Sequence, residues 1–104
     1  SLTSSQDLVK MLSSKPIMIG AISDVCHHNL ANQESAPLLE ACFGVIGNMA
    51  HIDSNRIELV RCGAVQALMQ GMRYHVGDYA VNIEACSALA NLALAHPIRD
   101  AITK

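Results

Sequence analysis

The sequence predicts an all-α fold built by repetition, and three observations carry the prediction. Hydrophobic residues make up 51% of the 104 residues but aromatics only 3%, so the core must be assembled from Ala, Leu, Ile, Val, Met and Cys. That composition suits close-packed helices better than a sheet, which favours β-branched and aromatic side chains. The chain also matches itself at the spacing that separates Asn48 from Asn91, 43 residues: Val45-Ile46-Gly47-Asn48-Met49-Ala50 falls close to Ala88-Leu89-Ala90-Asn91-Leu92-Ala93. Finally, apolar residues recur at helical spacing in both copies, with an amide set into each run.

The repeat extends over a whole unit. Gly20-Ala21-Ile22 falls on Gly63-Ala64-Val65, Val25-Cys26 on Leu68-Met69, Ser35 on Asp78, Leu38 on Val81, Cys42 on Ala85, and Arg56 on Arg99. The agreement lies in size and polarity more than in identity. A shift one residue longer would align Glu40-Ala41-Cys42 with Glu84-Ala85-Cys86, but it puts the two Asn out of register and breaks the Gly-Ala match.

Taken in order, residues 1–14 are polar and then carry Leu8, Val9, Met11 and Leu12 at helical spacing, the end of a preceding helix or a cap. Residues 15–53 form a first, divergent unit, in which Pro16 interrupts the slot of the first helix. Its last helix starts at Ser35 as N-cap, with Pro37 where a helix start tolerates proline. Leu38, Cys42, Val45 and Met49, with Ile46 beside them, are its expected core stripe. Residues 54–96 form a full unit. A short helix over Asn55–Cys62 is stopped by Gly63, since glycine readily takes the left-handed conformation after a helix. A second helix follows over Ala64–Met72, then a loop over Arg73–Asp78. A third runs over Tyr79–Ala95, with Asp78 as N-cap and Pro97 beyond its end. Its core stripe is Val81, Ala85, Ala88 and Leu92, flanked by Leu89, while Glu84, Ser87 and Asn91 share another stripe. Residues 97–104 read as the first helix of a third, truncated unit. With Ser1 at one end and a helical pattern at the other, the chain reads as a piece of a longer protein.

This layout resembles the armadillo repeat. The residues that carry the resemblance are Asn55-Arg56-Ile57-Glu58-Leu59-Val60-Arg61-Cys62-Gly63-Ala64-Val65-Gln66-Ala67-Leu68 and Ala85-Cys86-Ser87-Ala88-Leu89-Ala90-Asn91-Leu92-Ala93. It implies a right-handed α-superhelix (a solenoid) of about two and a half armadillo-type repeats, used as a non-enzymatic protein-interaction scaffold. In similar proteins the third helices line a concave groove, and an Asn near their ends hydrogen-bonds the backbone of an extended peptide. Carried over, that role falls to Asn48 and Asn91, and Gly44, Ser87, Glu84 and His51 complete the expected peptide-binding face. An amide offers both donors and an acceptor, so it can hold a peptide unit without reading its side chain. The same amide can instead satisfy a carbonyl of a neighbouring helix. Importin-alpha-like members carry a Trp one turn before the Asn; here that slot is Gly44 or Ser87, and the chain has no Trp. The groove is not lined with Lys and Arg either, as in catenin-like members that bind acidic tails. A shallow, nearly neutral groove is expected, for an extended segment or a helix of another protein. The alternative is a purely structural solenoid segment, or one that self-associates through its open ends. Because two and a part repeats fall below the three or so that such arrays need, the chain is expected to be marginally stable or oligomeric.

Other functions are poorly supported. A net charge of −2 provides no field to recruit nucleic acid or an anionic membrane, and no run approaches the ~20 apolar residues of a membrane span. Cys26, Cys42, Cys62 and Cys86 each fall in an apolar slot and read as reduced thiols, which points to the cytoplasm or nucleus. Cys26-His27-His28 is the one cluster that suggests a metal. However, His51, His75 and His96 are scattered and complete no ligand spacing, so neither a metal nor a cofactor is expected. A Cys-His hydrolase would need Cys42 or Cys86 with His51 or His96, yet those cysteines sit in apolar helix positions, so no catalytic residue is assigned. The methionines read as core filling. The segment Arg73–Tyr79, which holds both tyrosines, is the most distinctive exposed stretch.

Overall fold

A computed structural model describes residues 16–94, which form five α-helices and one 3-10 turn: α1 (Pro16–Asn29), the turn Gln33–Ser35, α2 (Ala36–Met49), α3 (Asp53–Arg61), α4 (Ala64–Tyr74) and α5 (Tyr79–Leu92). No strand occurs among the described residues. The expectations for residues 1–14 and 97–104, and those for His96 and Arg99, lie outside them.

The second unit follows its sequence closely. α3 ends at Arg61, and Gly63 takes φ 85°, the left-handed conformation, with its N–H donating to the Val60 carbonyl at 3.0 Å. This lets the chain turn directly into α4, two residues longer than expected. α4 ends where His75 leaves helical geometry. Far from being exposed with the rest of its loop, His75 is buried. Its Nε2–H donates to the Leu30 carbonyl at 2.8 Å, tying the loop to the connection after α1. Asp78 caps α5 as the sequence implies, its carboxylate accepting the Val81 N–H at 3.1 Å. α5 stops at Leu92, short of the expected Ala95: the Ala93 N–H still reaches Leu89, then the chain turns.

The first unit departs from its partner. α1 starts at Pro16, since the residue before a proline is disfavoured in a helix while proline itself fits the first helical position. It then runs unbroken through Gly20, which is therefore no counterpart of Gly63 in conformation. The expected cap of α2 is also different. Ser35 makes no side-chain cap; its hydroxyl donates to Asn29 Oδ1 at 3.3 Å. Instead, Asn32 Oδ1 accepts the Glu34 N–H to organise the 3-10 turn that leads into α2.

The core confirms one stripe and corrects the other. Val81, Ala85, Ala88 and Leu92 are all fully buried. In α2 the buried residues are Leu39, Phe43, Ile46, Gly47 and Met49, whereas Leu38 is 43% exposed and Cys42 and Val45 only half-buried. The reason is topological. α2 packs mainly against α5 and also touches α1, α3 and α4, whereas α5 packs against α2 and α4 among the described residues. Transferring the stripe of α5 by the repeat spacing therefore missed the side on which Phe43 lies. Phe43 is the largest fully buried side chain, and it fits because Gly71 of α4 has no Cβ: one built there would stand 2.5 Å from the Phe43 ring.

Candidate functional site

Three of the six sequence-predicted binding residues, Gly44, Glu84 and Asn91, meet where α2 and α5 run against each other, the most extensive helix contact among the described residues. The two helices approach closely because small residues meet there. A Cβ built on Gly47 would stand 3.5 Å from the Ala88 Cα, and one built on Gly44 would stand 3.3 Å from Glu84 Oε2. The Glu84 carboxylate thus leans over Gly44, bringing two of the named residues together and placing one negative charge on the seam.

Asn91 reaches across the same seam. Its Nδ2 donates to the Gly47 carbonyl at 3.0 Å, and the residue is half-buried. Gly47 lies in the last turn of α2, where carbonyls lack an intrahelical donor. Asn91 is therefore, in part, a cap for the neighbouring helix. Asn48 differs: it is exposed, and its side-chain amide has no hydrogen-bond partner among the described residues. Ser87 is exposed on α5, and His51 is exposed just past the end of α2. The structure therefore brings Gly44, Glu84 and Asn91 onto one seam, leaves Asn48, Ser87 and His51 open to solvent, and joins none of the last three by a side-chain hydrogen bond.

Two further residues of this region escaped sequence reasoning. Asn55 Nδ2 donates to the Met49 carbonyl at 3.2 Å, and Arg56 Nη1 to the Ala50 carbonyl at 2.7 Å, while Arg56 also pairs with Asp53. With Asn91, they give three side chains from two helices that satisfy the C-terminal carbonyls of α2. The signal that could have found Arg56 is its recurrence as Arg99. Nothing in the sequence marks Asn55.

The remaining constellations resolve locally. His27, His28 and Asn29 each turn back onto the carbonyl four residues earlier, at 2.7, 2.8 and 2.7 Å. A carbonyl only accepts, so both histidines carry their proton on Nδ1. The described residues hold no group of three metal-ligating side chains, and no hydrogen bond there joins Cys42 or Cys86 to His51. The loop before α5 lines a shallow pocket of about 250 Å³ with Gln33, Tyr74 and His75 among its walls. No helix among the described residues is long and apolar enough to cross a membrane.

Short helix, left-handed glycine, second helix and long third helix define an α-helical repeat of the kind that builds solenoids. Residues 53–94 match the family described as Armadillo/beta-catenin-like repeat, which supports an armadillo-type reading of this part of the chain. Neither the curated proteins nor the solved structures hold a significant match to the chain.

Proposed function

We propose that the chain is a non-enzymatic protein-interaction scaffold that holds an extended segment of another protein on the exposed side of the α2–α5 seam. In this reading residues 15–53 serve as a divergent repeat ahead of the armadillo repeat. The observation that carries the proposal is Asn48: a solvent-facing amide, without a partner among the described residues, in the slot that Asn91 fills one unit later. Asn48 is the second-last residue of α2, where its amide costs at most ~0.7 kcal/mol against Ala, and a ligand peptide unit would offset that cost. Glu84 favours a segment that brings a basic side chain to Gly44. Cysteines that read as reduced thiols are in keeping with the cytoplasm or nucleus, and a net charge of −2 favours protein rather than nucleic acid as partner.

An array of extended peptides probed with the wild-type chain and with Asn48→Ala tests this. Peptides retained by the wild type and lost by Asn48→Ala, with unchanged circular dichroism, support the proposal. Identical binding patterns, or none above a denatured control, sink it.

A second reading, that the segment is structural or self-associates, is favoured by the Asn91–Gly47 bond and by the far side of α5, where Tyr79 and Ile83 are 85% and 64% exposed. Sedimentation over a concentration series separates the two: self-association that Ile83→Asp abolishes favours the second reading.

A further inference from the structure

The C-terminal ends of α2 and α5 share one backbone geometry. Each helix is followed by an alanine, Ala50 or Ala93, that keeps near-helical angles (φ −70°, ψ −3° and φ −66°, ψ −11°) and donates its N–H to the carbonyl four residues earlier, at 2.9 Å in both. The next residue donates three back in both, His51 to Asn48 and Leu94 to Asn91, at 3.3 Å. Their surroundings differ. At α2 three side chains take up the last carbonyls: Asn91 that of Gly47, Asn55 that of Met49 and Arg56 that of Ala50. At α5 no side chain among the described residues donates to the matching carbonyls of Ala90, Leu92 and Ala93. Ala93 is half-buried, where Ala50 is fully buried.

We propose that residues 96–104 of the same chain dock on the end of α5 as α3 docks on the end of α2, with Arg99 donating to the Ala93 carbonyl and Ile102 filling the slot that Leu59 fills. These residues lie outside those described, and register and chemistry assign them. The repeat spacing that aligns the two helix ends carries α3, Asp53–Arg61, onto residues 96–104. Arg56 falls on Arg99, and the fully buried Leu59 on Ile102. Ser54, in the first turn of α3, falls on Pro97, and a missing N–H there costs no intrahelical bond. Ile57, 53% exposed on α3, falls on Asp100, so the side that α3 leaves in solvent is polar in the segment.

The dock has fewer polar anchors than the α2–α3 joint. Asp53, which pairs with Arg56, has His96 in its place, and Asn55 has Ile98. The arginine alone recurs. It suits the role, because a guanidinium offers five N–H donors and its positive charge is favourable beside the partial negative charge of a helix C-terminus.

Hydrogen exchange of the whole chain, read by mass spectrometry, tests this. In the wild type the amides of residues 99–104 should exchange at least about tenfold more slowly than in an unstructured peptide of the same sequence. Arg99→Met keeps the apolar stem and the helix propensity but removes the donor, and Ile102→Asp removes the apolar contact. Each should abolish the protection of residues 99–104 while leaving that of α1–α3 unchanged. Free exchange of these amides in the wild type, or protection that survives either substitution, would overturn the proposal. Protection that rises with protein concentration would overturn it too, since a second copy would then be the occupant.

Discussion

Two glycines on facing helices illustrate how much one methyl group matters. Gly71 has the Phe43 ring against it, and Phe43 is fully buried with nowhere to move. Gly71→Ala gains helix propensity worth about 1 kcal/mol but forces overpacking worth about 1–3 kcal/mol. The variant should be less stable in denaturant unfolding, and an unchanged or raised midpoint would refute this. At Gly47 a Cβ meets Ala88 at ordinary van der Waals distance, so Gly47→Ala should keep the propensity gain and leave stability unchanged or higher. Asn91 and Asn48 form a similar contrast. Asn91→Ala strips a partner from the buried Gly47 carbonyl, a loss of about 1–3 kcal/mol against a propensity gain of up to ~0.7. Asn48→Ala has only the gain. Thermal unfolding should therefore fall for the first and hold or rise for the second. If both fall alike, Asn48 is also a packing residue.

At the scale of elements, the joints decide the arrangement. The chain passes from α3 into α4 within two residues because Gly63 is left-handed, and an alanine there adopts that conformation at a cost of roughly 1–2 kcal/mol. α3 in turn is fixed to the end of α2 by Arg56, which is nearly buried, gives one guanidinium nitrogen to the Ala50 carbonyl and another to Asp53. Arg56→Met preserves much of the apolar stem but leaves that carbonyl unsatisfied in a fully buried setting. The expected loss is about 1–3 kcal/mol. Native-state hydrogen exchange should show it as earlier opening of α3, and protection equal to wild type would place the joint elsewhere. The described part of α1 has no such joint: Gly20 is an ordinary helical residue within it.

For the whole molecule, the governing fact is that α5, the last of the described helices, packs against α2 and α4 and has a further face that no described residue covers. Tyr79, Ile83 and Leu94 are correspondingly exposed. A repeat array distributes its stability over interfaces between neighbours, so the chain as given should unfold at modest temperature or associate. A concentration-independent monomer with a sharp transition above ~65 °C would contradict this.

What the sequence by itself determined was the local and periodic structure of the second unit. The helices of the second unit follow from their caps, from the glycine stop and from 3.6-residue spacing, because these act within a few residues along the chain. The one-sided stripe of α5 was legible for the same reason, and the candidate binding face was legible as a recurrence: the same amide at the same place in each unit. Only the tertiary structure decided which side of α2 is core, because that depends on Gly71, a residue of another helix, leaving room for Phe43. It likewise decided that Asn91 caps α2 while Asn48 stands open, and that His75 is buried. Each of these depends on which groups a distant helix brings within hydrogen-bond or van der Waals range, and the spacing of residues along one helix does not encode that.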